Sequence, residues 1–213
     1  FALAMIGSYV LSFQIYLALP LQAAVVVGDG RSDTALVTSL FVVSGVVAIA
    51  GQFRITSWLS RRWGSGRSVV VGMAIMALAF LPLIVLPSPA ALGGWAAAGA
   101  LVFTAALLAV GTAAVFPFEM DTVVTLSGGK LVATHYGFYN TIVGVGILLG
   151  NLGTGAVFGL LSDAHLGALI WVILTLVGAA SVAALYALDR SDRLTPPPTE
   201  TTVTESGEVP ATG

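Results

Sequence analysis

The chain has 213 residues, of which 57% are hydrophobic and 8% are charged, with a net charge of −2 and no cysteine. So apolar a composition excludes a soluble globular fold and predicts an all-α polytopic membrane protein. The absence of cysteine excludes disulfide and thiolate chemistry. The small net charge gives no indication of an anionic partner, and we expect no nucleic-acid binding.

Charged residues divide the chain into uncharged stretches that can be compared with the roughly 20 residues a helix needs to cross about 30 Å of hydrocarbon. The third long stretch is split at Pro87-Ser88-Pro89, because proline breaks a helix. Six transmembrane helices are predicted, at 2–26, 34–53, 68–86, 92–117, 132–161 and 166–188. They form a membrane domain over residues 1–188, and the proline- and threonine-rich residues 189–213 are typical of a disordered tail.

The distribution of cations predicts the orientation of these helices. Basic residues are concentrated in cytoplasmic loops, and an even number of spans puts both ends of the chain on one side. Arg31 alone would face outward, and seven of the eight cations would face the cytoplasm: Arg54, Arg61, Arg62, Arg67, Lys130, Arg190 and Arg193.

The first predicted span has an aromatic and amide content that is unusual for a lipid-facing surface and suits the wall of a cavity. It holds Tyr9, Phe13, Gln14 and Tyr16. The two tyrosines are also compatible with interfacial or packed positions. Gln14 lies deeper in the span and is the better cavity candidate.

The fourth and fifth spans contribute few polar groups. Thr112 is a candidate for the cavity wall, although its hydroxyl can bond to its own helix. Asn140 and Asn151 lie eleven residues apart, close to three helical turns, so they share a face. A buried amide needs a partner in hydrocarbon, so Asn140 either bonds to another helix or lines the cavity.

The fifth span is rich in glycine. Gly146 and Gly150 are four residues apart, as are Gly155 and Gly159. Small faces of this kind allow helices to approach closely. The face serves either packing within this domain or contact with another domain.

Two stretches resemble a known family. The segment 57–67, Ser-Trp-Leu-Ser-Arg-Arg-Trp-Gly-Ser-Gly-Arg, lies between the second and third spans. It resembles the loop of major facilitator superfamily transporters, in which a glycine, three residues, an aspartate, an arginine, a variable residue and a glycine precede basic residues. Arg62 and Gly64 match that pattern, whereas Ser57 replaces its first glycine and Arg61 its aspartate.

The second stretch runs from Val115-Phe116-Pro117-Phe118-Glu119 through Tyr136-Gly137-Phe138-Tyr139-Asn140 to Gly150-Asn151-Leu152-Gly153. It is similar to the tenth-to-eleventh helix region of drug-efflux-type members. Together the two stretches make residues 1–190 resemble the carboxyl-terminal six-helix half of such a transporter.

The resemblance implies that this chain is half of a twelve-helix protein, and that this half consists of two inverted three-helix repeats. It implies that the first and fourth spans line a central cavity, that the partner is an amino-terminal six-helix half, and that the protein lies in the plasma (inner) membrane. It also implies a cytoplasmic gating loop, which here would contain Arg61, Arg62, Gly64 and Arg67. Because the chain begins at Phe1, we expect more sequence upstream.

Carboxylates are absent from the predicted spans. Glu119 and Asp121 fall just beyond the fourth span as predicted, so a proton-coupling carboxylate is expected outside this chain. Enzyme chemistry is not indicated, since the chain has no His-Glu-x-x-His, Gly-x-Ser-x-Gly or Gly-Lys-Ser/Thr sequence. No cofactor or metal is expected.

The resemblance implies secondary efflux by alternating access with proton coupling, and the apolar fourth span favours a small amphipathic substrate. Two alternatives stay open. One is a non-transporting membrane scaffold or sensor, and the other is a six-helix protein that transports as a homodimer. The upstream reading frame would distinguish them.

Overall fold

The computed structural model describes residues 1–28, 31–85, 93–128, 131–163 and 166–191. These residues are helical apart from short connections, and they include no strand. The helices are α1 (Ala2–Phe13), α2 (Ala18–Val27), α3 (Arg31–Leu78), α4 (Leu81–Val85), α5 (Gly94–Leu126), α6 (Val132–Asp163) and α7 (Ala168–Arg190). The predicted break at Pro87–Pro89, Lys130, Arg193 and most of the predicted tail lie outside the described residues.

The described residues contain five helical stretches that are long and apolar enough to cross a membrane. One of them, Ser32–Val85, has 54 residues. A continuous helix of that many residues would be about 80 Å long at 1.5 Å per residue, more than twice the thickness of the hydrocarbon layer. The stretch therefore covers the predicted span 34–53 and residues 68–85 of the predicted span 68–86. The prediction of an all-α, six-span membrane fold is confirmed.

Two predicted spans are interrupted near a proline. The first divides into α1 and α2, and α2 begins at Ala18, so that Pro20 lies in its first turn. The third divides near Leu78, and α4 begins at Leu81, just before Pro82. A proline is accommodated in the first turn of a helix because the backbone N–H it lacks would have no partner there.

The residues between the second and third predicted spans do not form the loop that was predicted. Residues 54–63 continue the helix, and the only non-helical residue inside α3 is Gly64, with φ 75° and ψ 178°. Arginine is a good helix former, so the charged residues that end the hydrophobic run do not end the helix. A single glycine, which tolerates positive φ, provides the turn.

The helix that carries the fourth predicted span ends later than predicted. The helix α5 passes through Pro117 and continues to Leu126, nine residues beyond the predicted end at residue 117. The charge of Glu119 suggested an exit from the membrane, but Glu119 is 1% exposed inside the helical bundle. Its two tyrosine partners, described below, allow the helix to bury it.

Close helix packing joins α3 to α5. A Cβ atom added to Gly72 would lie 2.7 Å from the Val115 side chain, and one added to Gly111 would lie 2.3 Å from Met76. The absence of a side chain at both glycines lets the two backbones approach closely. This contact fixes the helices that carry two walls of the cavity.

The helix α7 closes the other side of the bundle. A Cβ atom added to Gly178 would lie 2.5 Å from Ala77, and one added to Gly7 would overlap the Ser181 hydroxyl. The fully buried ring of Trp171 stacks on Phe80, with centroids 5.9 Å apart. These contacts pack α7 on α1 and on the end of α3, away from the cavity.

Candidate functional site

A cavity of about 440 Å³ lies between α1, α3 and α5. Its volume is within the range of small-molecule sites. The residues that line it come from the end of α1 and the following turn, the first half of α3, and the middle of α5. They are Ser12, Phe13, Ile15, Tyr16, Phe41, Ser44, Gly45, Ala48, Gln52, Leu108, Ala109, Thr112, Ala113, Phe116 and Pro117.

The cavity wall is aromatic and uncharged. The Tyr16 ring lies against Phe13 and Phe41, with centroids 5.7 Å from each. The Ser12 and Thr112 hydroxyls, one from α1 and one from α5, lie 3.4 Å apart and form one polar point on the wall. A wall of this kind suits a ligand with a large apolar surface and few hydrogen-bonding groups.

Three of the residues predicted for substrate binding, Phe13, Tyr16 and Thr112, line this cavity. Tyr16 is 66% exposed, so its ring extends from the bundle at the cavity mouth. The structure thus brings residues from the first and fourth predicted spans together, and it adds α3 as a third wall. Whether they bind substrate stays a prediction.

Gln14 lies elsewhere. Its side chain is fully buried and absent from the cavity lining. Its Nε2 donates a 2.6 Å hydrogen bond to the Val10 carbonyl of its own helix, and its Oε1 has no hydrogen-bond partner among the described residues. Gln14 therefore occupies the packed side of the break between α1 and α2.

Asn140 is exposed on α6 and also lies outside the cavity lining. Its Nδ2 donates to the Tyr136 carbonyl one turn earlier. Neither alternative predicted for this amide, a bond to another helix or a place on the cavity wall, is seen in the part of the chain that is described. Asn140 faces outward from this helical domain.

Tyr9 belongs to a second polar site, which the sequence analysis missed. Its hydroxyl donates a 2.6 Å hydrogen bond to Oε1 of Glu119, and the Tyr139 hydroxyl donates a 2.5 Å hydrogen bond to the same oxygen. Glu119 Oε2 is buried and has no hydrogen-bond partner among the described residues. The three side chains join α1, α5 and α6, and we call them the carboxyl cluster.

The carboxyl cluster borders the cavity through one aromatic ring. Phe116 stacks on Tyr9 with ring centroids 5.1 Å apart, and it also lines the cavity. The sequence held only a weak signal for this cluster: Glu119 lies seven residues before the last residue of α5, Tyr139 lies seven residues after the first residue of α6, and Tyr9 lies on α1. The contact between them could not be read from the sequence, because it depends on three helices packing side by side.

The turn at Gly64 is held by polar contacts with two other helices. The Ser65 hydroxyl donates a 2.7 Å hydrogen bond to Asp121 at the end of α5. Arg67 lies 3.8 Å from Asp189 near the end of α7. Because the Arg67 side chain is 72% exposed, this ion pair contributes little to stability. Both contacts nevertheless connect the turn to neighbouring helices.

The two other arginines predicted for the gate lie on the helix before the turn. Arg61 donates from Nε to the Ser57 carbonyl, and Arg62 is exposed. Near them the Trp58 and Trp63 rings meet edge to face, with centroids 5.2 Å apart. This part of α3, just before the Gly64 turn, presents cations and indole rings together, a composition typical of a membrane interface.

The glycine-rich helix α6 has two different sides. A Cβ atom added to Gly146 would lie 2.5 Å from Ile6, and one added to Gly150 would lie 2.5 Å from Val10. This pair therefore packs within the domain, against α1. Other glycines of the helix have open space where a side chain would be: Gly137, Gly144, Gly153, Gly155 and Gly159.

Comparison with known proteins gives clear relatives. Over 188 residues, 88% of this chain and 44% of the relative, the sequence is 52% identical to an MFS-type transporter of Mycobacterium tuberculosis (strain ATCC 25618 / H37Rv). Over 186 residues, 87% of this chain and 43% of the relative, it is 22% identical to the multidrug resistance protein MdtH of Escherichia coli (strain K12 / DH10B). The chain thus spans about half the length of these curated relatives.

The same multidrug resistance protein from Shigella dysenteriae serotype 1 (strain Sd197) is 22% identical over the same length. No family model and no solved structure matches the chain.

Proposed function

We propose that this chain, which belongs to the major facilitator superfamily, forms the carboxyl-terminal half of a secondary active transporter that exports a small amphipathic molecule by alternating access, in exchange for protons. The observation that carries the proposal is the aromatic, uncharged cavity between α1, α3 and α5. It occurs in a chain that is 52% identical to an MFS-type transporter over 88% of its length.

The chemistry of the wall supports an amphipathic substrate. Four aromatic side chains line the cavity, whereas its polar groups are four hydroxyls, one of them the Tyr16 phenol, and one amide. A sugar or another strongly polar solute needs several convergent hydrogen-bonding groups, because each of its own polar groups loses water on binding. A ligand with an aromatic or aliphatic body and one polar group fits this wall better.

A partner half is supported by the surface of α6. The open glycines on this helix would let another helix approach closely, and several leucines beside them are exposed. Because the chain spans about half of its relatives' length, an amino-terminal six-helix half is the partner we propose for this surface. Sliding of that half against α6 would accompany alternating access.

The location we propose is the plasma (inner) membrane, with both ends of this chain in the cytoplasm. The seven-to-one distribution of cations supports this orientation. A cysteine introduced at Ser65 should then be labelled only from the cytoplasm, and one at Ser88, outside the described residues, only from the outside. Labelling of both from the same side would contradict the topology.

The function is tested with the full-length transporter, purified and reconstituted in vesicles. Ethidium serves as an amphipathic probe and glucose as a polar one. We expect an imposed proton gradient to drive ethidium movement, a protonophore to abolish it, and glucose not to move. Ethidium and glucose fluxes equal to those of empty vesicles would contradict the proposal and favour a non-transporting scaffold.

A matched pair of variants tests the cavity itself. Gly45 lines the cavity and has open space where a side chain would be, so Gly45→Phe should fill the cavity without disturbing the bundle. Gly99 on α5 has the same open space but is not part of the lining, so Gly99→Phe is the control. Transport should fall only in Gly45→Phe, and equal transport in the two variants would remove the cavity from the proposal.

A further inference from the structure

The buried carboxyl group of Glu119 lacks the partners that a buried charge requires. A carboxylate has lone pairs for about four hydrogen bonds on its two oxygens. In this structure both hydrogen bonds, from Tyr9 and Tyr139, reach Oε1, and Oε2 has no hydrogen-bond partner among the described residues. Since Glu119 is 1% exposed, solvent cannot compensate for the missing bonds.

Among the described residues, no positive charge neutralises this group either. The described residues contain one ion pair, between Arg67 and Asp189, and it does not include Glu119. The titratable side chains that face Glu119 are Tyr9 on α1, and Tyr139 and Tyr136 on α6. Of the other helices against α5, α2 and α4 carry no titratable residue. The helix α3 contacts this part of α5 through Ser65, which bonds to Asp121, and its arginines, Arg54, Arg61, Arg62 and Arg67, are exposed.

The neutral acid fits this geometry better than the carboxylate. In a protonated carboxyl group one oxygen is a carbonyl oxygen with two lone pairs, and the two tyrosine hydroxyls would fill both. The proton would then lie on Oε2. Its unused donor costs less than an ion without a counter-charge in a low-dielectric interior. An ionisable residue buried in a membrane bundle is by default a candidate functional site.

We infer that Glu119 is a proton-binding residue of this chain, which holds α1, α5 and α6 together in its protonated form and releases its proton when these helices separate and admit water. The proton passes from the Glu119 carboxyl group to water, and the carboxylate left behind is hydrated. The inference deepens the proposed function and rests on it for the use of the proton in transport.

The location of the carboxyl cluster agrees with such a role. Glu119 and Tyr139 each lie about two helical turns from the end of their helix on the side we propose to be cytoplasmic. Two turns correspond to about 10 Å. The cluster is separated from the cavity by Phe116, which packs on Tyr9 and lines the cavity. A ligand that moves Phe116 would therefore disturb the contact between Tyr9 and Glu119.

Infrared difference spectroscopy on the purified full-length transporter tests proton binding without a substrate. At about pH 7 an ordinary glutamate is ionised. We expect the wild type to show a protonated carboxyl band at this pH, and the band to disappear in Glu119→Gln. Asp121→Asn is the matched spectral control, since this carboxylate lies two residues away on the same helix and is exposed, and its replacement should leave the band intact.

A tyrosine variant, Tyr139→Phe, keeps the test decisive if Glu119→Gln fails to fold. Tyr139→Phe removes one hydrogen bond to the carbonyl oxygen and leaves Glu119 in place, so it should shift the frequency of the same band. Absence of the band from the wild-type spectrum overturns the inference without any variant. A band that survives in Glu119→Gln, or that is unmoved in Tyr139→Phe, also overturns it.

Transport in vesicles separates this inference from the proposed function. If a proton gradient drives ethidium transport in the wild type, this gradient-driven flux should fall at least tenfold in Glu119→Gln. The variant should still exchange ethidium across the membrane when no proton gradient is imposed. Undiminished gradient-driven flux in Glu119→Gln would overturn the coupling role. If the wild type transports nothing, the proposed function fails, and the infrared result still decides whether Glu119 binds a proton.

Discussion

The Ser65 hydroxyl donates a 2.7 Å hydrogen bond to the Asp121 carboxylate, from the residue after the Gly64 turn to the end of α5. The corresponding loop in the resembling family carries an aspartate where this chain has Arg61. Here the carboxylate comes from another helix, and the donor is a serine of the turn. The contact attaches the turn between the second and third spans to the helix that carries Glu119.

This hydrogen bond should be measurable as a coupling between the two residues. A double-mutant cycle of Ser65→Ala and Asp121→Asn should give a coupling of about 0.5 kcal/mol in the free energy of unfolding, small because Asp121 is exposed. Thermal melting of the full-length transporter gives this value. Ser57→Ala is the control, since its hydroxyl bonds to the Arg54 carbonyl on its own helix and should show no coupling with Asp121.

Arg62 should influence turnover more than substrate binding. It matches the arginine of the family pattern, and it is exposed on α3 just before the Gly64 turn rather than in the cavity. We expect Arg62→Ala to lower the transport rate several-fold while ethidium binding stays near that of the wild type. Arg54→Ala, an exposed arginine two turns earlier, is the control. An unchanged rate in Arg62→Ala would leave the arginine as an orientation signal only.

Gly64 should be the least replaceable residue of the turn. Its φ of 75° with ψ of 178° is a combination that only glycine adopts without strain. Since the space around its α-carbon is open, the effect of Gly64→Ala is a backbone effect, a destabilisation of about 1–3 kcal/mol. Gly99→Ala, in a helical position with equal space, should be neutral or slightly stabilising. Melting temperatures that do not separate the two variants would argue against this turn.

The number of spans could be predicted from the sequence because the length of an uncharged run reports directly on membrane crossing. The breaks inside spans, the helical path of residues 54–63 and the end of α5 could not. At Glu119 the hydropathy signal gave the wrong helix end, because two tyrosines distant in sequence supply the hydrogen bonds that allow the carboxyl group to be buried.

The candidate site was predictable only in part. Aromatic content identified Phe13 and Tyr16, and both line the cavity, but the pattern could not exclude Gln14, whose amide is bonded to its own helix. The contribution of α3 to the cavity was missed because Phe41 and Gly45 have no distinctive pattern. Their role follows from the close contact of α3 with α5, which depends on glycines on both helices.

The two sides of α6 should respond differently to added side chains. In Gly150→Ala the new methyl group would lie 2.5 Å from Val10, a stiff β-branched side chain, so we expect a loss of about 1–3 kcal/mol in the free energy of unfolding. Gly155→Ala meets open space and should leave the stability of this domain unchanged. Melting and transport should be measured together. Reduced transport in Gly155→Ala, without reduced stability, would support contact with the partner half, whereas equal melting temperatures would contradict the packing on α1.

Gln14 and Thr112 give opposite expectations, although both were predicted for the cavity. Gln14 is fully buried with an unpartnered Oε1, so Gln14→Leu removes an unsatisfied polar group and should leave thermal stability equal or up to about 1 kcal/mol higher, without altering substrate preference.

Thr112 lines the cavity, and its hydroxyl lies 3.4 Å from that of Ser12. Thr112→Val keeps the shape and removes the hydroxyl, so it should change the ratio of transport rates between an amphipathic probe with a hydrogen-bonding group and one without. Both variants are measured for melting and for transport of the same two probes. A change of preference in Gln14→Leu, with none in Thr112→Val, would place the substrate pathway on the Gln14 side of α1 and contradict the cavity described here.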